Sequence, residues 1–240
     1  MIKRILTLKN IVYLITAISF VLSCCCQFFD RMNSIYTVNI ITETIFFIIF
    51  LKYRKTKEWT VLLFWLSFVL AAVAIFYNND AAYGEITTVL KLLGYFMLFI
   101  YIYNKQKDLI VKRIDYLVYG AIFMFNIYAV YEVVGMISTF ITEKHMVVLY
   151  SVYGLVLILL FMSAFRYRLL YDSRSKYVLL LTTFLTAAEL LGIIAYFMGF
   201  EYLYYLENFF YLFGLSFGVT GFITKNEKDS VHQMIKTGNI

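Results

Sequence analysis

Four glutamates and one lysine lie inside long apolar stretches of this sequence, where a charged side chain is expensive. They are Glu43, Glu132, Glu189, Glu207 and Lys91. A carboxylate at the centre of a membrane-spanning helix costs about 2.5–3.5 kcal/mol on insertion-based scales, so such residues usually face a bundle interior. Two carboxylates held in one poorly hydrated site can take different protonation states, which suits them to act as general acid and general base. The chemistry that this set predicts is proton transfer, or the binding of a polar group, within a membrane.

Glu189 has polar neighbours on one face of its predicted helix. Thr182, Thr186 and Tyr196 lie seven, three and seven residues from it, which are helical spacings. Glu189 lies near the middle of its apolar stretch, and a glutamate side chain is too short to cross roughly 15 Å of half a bilayer. It must therefore be protonated, paired or lining a pocket, and the polar neighbours favour a pocket.

The last two apolar stretches, 177–200 and 203–223, are predicted to pack closely. Each carries two small residues four positions apart, which lets helix backbones approach each other in lipid. The pairs are Ala188 with Gly192 and Gly214 with Gly218. Glu207 and Tyr211 share the face of the two later glycines. The sequence therefore predicts a tight seam between these helices, with Glu189, Glu207 and Tyr211 at a buried pocket beside it.

The composition of the chain is strongly apolar, with 62% hydrophobic and only 15% charged residues among 240. A soluble domain of this size carries more charge on its surface. Eight stretches can each cross about 30 Å of hydrocarbon as a helix. They are 9–29, 35–52, 59–77, 86–104, 114–138, 145–165, 177–200 and 203–223. A transmembrane β-barrel would instead need alternating segments of about ten residues. The predicted fold is all-α, a polytopic transmembrane bundle of eight spans in one domain, 1–224, with a polar tail, 225–240.

Basic residues are concentrated in every second connection between these stretches. They precede the first stretch, follow the second, fourth, sixth and eighth, and leave only Arg31 and Lys144 in the opposite connections. The positive-inside rule then places both termini in the cytoplasm. The net charge of +6 is the basic rim of a membrane protein, attractive to anionic lipid, and requires no nucleic-acid partner. We expect a multi-pass protein of the cell membrane, with a bacterial inner membrane as its location.

Three other stretches place polar residues in the same predicted slab of the membrane. Asn39 and Glu43 lie one turn apart in the second stretch, and Glu132 lies in the outer half of the fifth. Lys91, in the fourth, is expected to snorkel to the interface; the alternative is that it is the cationic partner of a buried acid. Convergence would produce one polar cavity in the outer half of the bundle. The alternative is that each acid bonds to a Thr, Tyr or Asn neighbour and only fixes helix packing.

No metal or cofactor site is predicted. The three consecutive cysteines, 24–26, point in different directions along a helix and cannot bind one metal together. His145 and His232 lie on opposite sides of the predicted membrane. The sequence has no glycine-rich phosphate loop and no serine elbow. The run ending at Cys24 is similar to a lipoprotein cleavage box, but the apolar stretch around it is long enough to span, which favours a first transmembrane helix.

The order and spacing of the spans resemble the YhhN-type lysoplasmalogenase family, eight-span membrane enzymes that cleave vinyl-ether lysolipids. The family's seventh span has a motif of small residues followed by Ser-Asp. Here Leu185-Thr186-Ala187-Ala188-Glu189-Leu190-Leu191 occupies a similar place, with Glu189 at the position of the aspartate. The resemblance covers most of the chain and implies an eight-span fold and a lipid substrate.

The chain departs from the family's pattern at three places. The family's third span carries Gly-Asp after Phe-Ser, whereas here Leu66-Ser67-Phe68 is followed by Ala71 and Ala72 and the acid is missing. The Lys-Pro of the second span is replaced by Val38-Asn39-Ile40. The aromatic pattern of the last span is echoed only by Phe209-Phe210-Tyr211. Two interpretations follow: a divergent active enzyme, or a divergent relative without that activity.

Two hypotheses about function therefore stand side by side. The first is a lipid hydrolase in which Glu189 is the first acid, as the resemblance implies, and Glu43 takes the place of the missing third-span acid in general acid/base attack of water. The second is a non-enzymatic membrane protein that binds or moves a small molecule or acts through a partner. The expected ligand is a membrane lipid, a lysolipid or another amphipathic molecule. Both carboxylates around one enclosed cavity would favour the first hypothesis.

Overall fold

The structure is a computed structural model that describes residues 2–29, 32–55, 57–78, 84–106, 113–141, 143–168 and 173–224. Within these residues the chain forms eight α-helices. They are α1 (Ile2–Phe28), α2 (Met32–Tyr53), α3 (Trp59–Asn78), α4 (Glu85–Lys105), α5 (Arg113–Ile137), α6 (Lys144–Arg168), α7 (Ser173–Met198) and α8 (Leu203–Ile223). Every one of them is long and apolar enough to cross a membrane. The predicted all-α fold with eight spans is confirmed, and the predicted tail, 225–240, lies outside the described residues.

The helices extend slightly beyond the apolar stretches that predicted them. α1 begins at Ile2 and α7 at Ser173, so both include basic residues at their starts. The chain contains no proline, so none of its helices is interrupted by a pyrrolidine ring. The polar first turns of α1 and α7 continue these helices beyond their apolar stretches.

The α7–α8 hairpin is the most closely packed pair in the bundle. Gly199 ends the first helix with a φ of 71°, a left-handed conformation that favours glycine. A Cβ atom at Gly214 would lie 3.2 Å from Leu185, and one at Gly218 would lie 3.1 Å from Leu181. The glycines of α8 thus face α7, as predicted. These partners lie about one and two turns further from the α7–α8 turn than the predicted Ala188, and about two and three turns further than Gly192, because the short connection sets the antiparallel register.

Contacts at the two ends of the bundle establish how the helices alternate. At one end, Arg174 at the start of α7 donates to the backbone oxygen of Thr224, 3.1 Å away, just after α8. Lys9 near the start of α1 lies 3.4 Å from the hydroxyl of Tyr177 at the same end. At the opposite end, Gln27 donates to the backbone oxygen of Glu201, in the α7–α8 turn. Both ends of the described chain therefore lie at the basic end, and its placement in the cytoplasm stays a prediction.

An aromatic core holds the middle helices together, while α5 is peripheral. Fully buried rings come from α2, α3, α4, α6 and α8, and they include Phe50, Trp65, Tyr95, Tyr167 and Phe222. Phe50 stacks on Trp65 with centroids 5.9 Å apart and meets Phe222 edge-on at 6.1 Å. α5 packs mainly against α6. The core is therefore a seam through the inner helices, and one helix lies at its edge.

Candidate functional site

A cavity of about 190 Å³ lies between α2, α3, α4, α7 and α8. Its polar lining comprises Asn39, Glu43, Lys91, Glu207 and Asn208, and four tyrosines join them: Tyr36, Tyr196, Tyr204 and Tyr211. Ile35, Ala72 and Ile75 supply apolar wall. A cavity with apolar walls and a few placed polar groups is the usual form of a small-molecule site.

The cavity occupies the half of the bundle that contains the α7–α8 turn. Tyr196 and Tyr204 flank that turn, and Tyr196 is 43% exposed. Glu43 lies deeper, roughly 16 Å along α2 from its first residue at 1.5 Å per residue. The site thus extends from near the turn end of the bundle towards its middle, in the half that the basic residues predict to be the outer one.

Glu189 is buried in an ion pair and does not line the cavity. Nζ of Lys91 lies 3.0 Å from its Oε1 and 3.3 Å from its Oε2. The hydroxyl of Tyr95 donates to Oε1 at 2.8 Å. The side chains of Lys91 and Glu189 are only 8% and 2% exposed. Residues of α4 therefore engage both oxygens of Glu189. Lys91 is the member of the ion pair that lines the cavity.

The prediction that Lys91 snorkels to the interface is wrong. Lys91 lies on the buried face of α4, four residues before Tyr95, and both side chains point to Glu189 on α7. A buried carboxylate in a poorly hydrated interior needs a counter-charge, and this lysine supplies it. The alternative interpretation of the sequence, that Lys91 is the cationic partner of a buried acid, describes the structure.

Glu43 is the buried acid that faces the cavity. It is 2% exposed, and its Oε1 accepts a hydrogen bond of 2.8 Å from the hydroxyl of Tyr211. Its Oε2 forms no hydrogen bond with any residue that the structure describes. A buried carboxylate oxygen without a partner is costly, and such a group is a candidate for binding an external donor.

The two acids belong to one network across four helices. Nζ of Lys91 lies 5.8 Å from the ring centroid of Tyr211, within the range of a cation–π contact. Tyr211 in turn bonds Glu43, while Lys91 bonds Glu189. The structure thus connects Glu43 to Glu189 through a tyrosine and a lysine, with Lys91 and Tyr211 between the two carboxylates.

The other predicted site residues divide into two groups. Asn39, Tyr196 and Glu207 line the cavity, and Nδ2 of Asn39 lies 3.5 Å from Oδ1 of Asn208. Thr186 does not line it; it is half-buried on α7, and its Oγ1 has no hydrogen-bond partner among the described residues. The roles proposed for these residues stay predictions, since the geometry establishes only where they lie.

The placement of Glu132 in the pocket is wrong. It lies on an exposed face of α5, a helix that packs mainly against α6 and whose described side chains do not line the cavity. Asn126, another polar residue of this helix, donates to the backbone oxygen of Ile122 one turn earlier. Glu132 lies near the end of α5, where a carboxylate on the surface can reach the polar interface of a membrane.

Four residues of the site were missed from the sequence: Tyr36, Tyr95, Tyr204 and Asn208. A signal for two of them was present, because Tyr204, Asn208 and Tyr211 recur at i, i+4 and i+7 on the face of Glu207. Tyr95 follows Lys91 by one turn. The chain contains 22 tyrosines, so tyrosines at helical spacings occur often and do not by themselves indicate a site.

Metal binding finds no support in the part of the chain that the structure describes. No group of three or more His, Cys, Asp or Glu side chains there is arranged to hold an ion. Cys24, Cys25 and Cys26 are free thiols near the end of α1. The chemistry available at the cavity is therefore that of carboxylates, amides, phenols and one ammonium group.

Comparisons of the chain with protein-family models, with curated proteins and with solved structures gave no match. The resemblance to the lysoplasmalogenase family thus stays a prediction from the sequence.

Proposed function

We propose that this integral membrane protein binds a small molecule in the cavity between α2, α3, α4, α7 and α8. The observation that carries the proposal is Glu43, a buried carboxylate that lines the cavity, with one oxygen that has no hydrogen-bond partner among the described residues. The volume of about 190 Å³ suits a small metabolite or the head group of an amphipathic ligand rather than a whole lipid. The bound group would donate to Glu43, and its apolar part would contact Ala72 and Ile75.

The position of Glu189 favours binding over the chemistry that the resemblance implies. A general acid or base must come within hydrogen-bond reach of the proton that it transfers. Lys91 and Tyr95 occupy both oxygens of Glu189, and Lys91 lies between this carboxylate and the cavity. Glu189 therefore acts as a positioning residue, which holds the ammonium group of Lys91 at the cavity wall.

Hydrolysis of a vinyl-ether lysolipid is the second candidate, and Glu43 is the observation in its favour. In that reaction an acid donates a proton to the vinyl carbon, and water adds to the neighbouring carbon as a base takes its proton. The hemiacetal then separates into an alcohol and an aldehyde. The cavity offers two carboxylates for these roles, Glu43 and Glu207. Glu189, which the resemblance to the family implies as the first catalytic acid, takes no part in this form of the reaction.

Filling the cavity tests the proposed binding directly. Ala72 lines the cavity on α3, so Ala72→Phe places a ring in it, whereas Leu70→Phe adds a ring on the exposed face of the same helix. Both variants are purified from native membranes, and the co-purifying small molecules are identified by mass spectrometry. We expect a ligand in the wild type and in Leu70→Phe that is lost from Ala72→Phe. The same molecules in all three proteins would contradict binding in this cavity.

The enzymatic candidate is tested by a different readout. Purified protein is incubated with a vinyl-ether lysolipid, and the released aldehyde is measured. Hydrolysis predicts aldehyde from the wild type, none from Glu43→Gln and an unchanged yield from Glu85→Gln, a variant of an exposed acid at the start of α4. An absence of aldehyde from the wild type would remove the enzymatic candidate and leave the binding proposal in place.

A further inference from the structure

The carboxyl group of Glu43 in the cavity wall has no direct ion pair with any residue that the structure describes. The lining of the cavity contains Glu43, Glu207 and Lys91, and Lys91 is already paired with Glu189 at 3.0 and 3.3 Å. Glu43 and Glu207 both lie in the field of the same ammonium group. Among the described residues, the ammonium group nearest to Glu43 is therefore already engaged by another carboxylate. In a poorly hydrated interior such a site attracts a positive charge more strongly than it would in water.

The aromatic part of the lining suits the same kind of ligand. Tyr36, Tyr196, Tyr204 and Tyr211 all line the cavity. The face of an aromatic ring attracts cations within about 6 Å, and rings grouped around a cavity are the common way of binding quaternary ammonium groups. Lys91 already shows such a contact, since its Nζ lies 5.8 Å from the ring centroid of Tyr211.

The same lining disfavours an anionic ligand. A phosphate or carboxylate needs a cation with free donors, but both oxygens of Glu189 lie against Nζ of Lys91. The ligand's negative charge would also approach Glu43, whose side chain lines the cavity. Like charges at close range in a medium of low dielectric repel strongly.

We propose that the ligand of this cavity is a small organic cation, an ammonium compound without a phosphate group, bound between the carboxyl group of Glu43 and the tyrosine rings. This inference rests on the proposed function and specifies the class of ligand. A volume of about 190 Å³ equals roughly six water molecules at ~30 Å³ each, which is enough for a choline-sized cation. Asn39 and Asn208 offer amide groups to a hydroxyl on the same ligand.

Three probes separate the effect of the positive charge from the effect of shape and from that of a phosphate group. They are choline, its uncharged isostere 3,3-dimethylbutan-1-ol, and phosphocholine, which adds the phosphate. Binding is measured by titration calorimetry on the full-length protein in an uncharged maltoside detergent, because choline lipids would compete. We expect choline to bind at least tenfold more tightly than either of the other two probes. Equal affinity for the isostere would show an apolar pocket and overturn the inference, and tighter binding of phosphocholine would indicate a zwitterionic head group instead.

Two variants locate the bound cation. Glu43→Gln is expected to weaken choline binding at least tenfold, whereas Glu85→Gln, at an exposed position outside the cavity, leaves it unchanged. Tyr204→Leu removes a ring from the lining, and it is expected to weaken choline binding more than Tyr204→Phe, which keeps the ring. Neither variant of Tyr204 removes a charged group. The comparison of these two variants therefore tests the ring contact with the cation even if Glu43→Gln fails to fold. Equal affinity in the two tyrosine variants would contradict a ring contact with the cation.

The inference and the proposed function can fail separately. No choline binding together with a ligand that Ala72→Phe removes would overturn the cation and keep the cavity as a binding site. No ligand lost from Ala72→Phe and no binding of any probe would overturn both.

Discussion

At the scale of single residues, the ion pair between Lys91 and Glu189 is the feature on which the site depends. Both side chains are nearly inaccessible, and each lowers the penalty of burying the other. The pair also fixes Lys91 at the cavity wall, 5.8 Å from the ring of Tyr211. A charge pair in this position contributes more to the arrangement of the site than to net stability, because desolvation offsets most of its Coulomb energy.

Removing one member of this pair should be worse than removing both. Lys91→Met leaves Glu189 buried without its counter-charge, and breaking a buried pair in this way typically costs about 3–5 kcal/mol. Lys91→Met combined with Glu189→Gln leaves no isolated charge, so most of that loss should be recovered. Thermal unfolding in detergent measures both variants. Equal losses in the single and the double variant would contradict a mutually neutralising pair.

At the scale of helices, the glycines of α8 decide how closely it packs on α7. A Cβ atom at Gly218 would lie 3.1 Å from Leu181 and 3.4 Å from Trp65, which leaves no room for a larger side chain. Close packing of this hairpin brings Glu207 and Tyr211 on α8 to the cavity that Tyr196 on α7 also lines. The spacing of small residues therefore shapes the site as well as the fold.

Gly218→Leu should destabilise the bundle, with a penalty of about 1–3 kcal/mol for overpacking. Gly120→Leu on α5 is the matched control, since a Cβ atom there meets nothing within 4 Å. The melting temperature in detergent should fall for Gly218→Leu and stay close to the wild-type value for Gly120→Leu. Similar melting temperatures for both variants would argue against a close seam at this glycine.

The helices could be predicted from the sequence, but the pairing of the buried charges could not. Apolar runs of sufficient length without a proline determine each span locally, and this information lies within the span itself. The contact between Lys91 and Glu189 depends on which faces of α4 and α7 meet across the bundle. The position of Glu132 depends on α5 being peripheral, and nothing within α5 encodes that. The sequence predicts Glu43 and Glu207 near a cavity because acids in spans usually face inwards, and it predicts Tyr211 there because this residue shares a helix face with Glu207.

At the scale of the whole molecule, the even number of helices places both ends of the described chain at the basic end. A reporter fused after residue 225 should therefore be active only in the form that works in the cytoplasm. The same reporter inserted after Glu201, in the α7–α8 turn, should show the opposite behaviour. Paired fluorescent and phosphatase reporters measure this in cells. Phosphatase activity at residue 225 would contradict the orientation that the basic residues predict.

The central claim is that a cavity at the turn end of the bundle admits a small molecule and favours a cation. Its most direct test is the reactivity of Ala72→Cys in a background where Cys24, Cys25 and Cys26 are replaced by serine. A methanethiosulfonate with a trimethylammonium group should modify this cysteine faster than the sulfonate reagent of similar size, and choline should slow the reaction. Leu70→Cys lies on the exposed face of α3, midway along a helix that can span the membrane. Lipid is expected to cover this face, so the charged reagents should not modify that cysteine. An Ala72→Cys that is inert to both reagents, or reacts faster with the sulfonate, would contradict the claim.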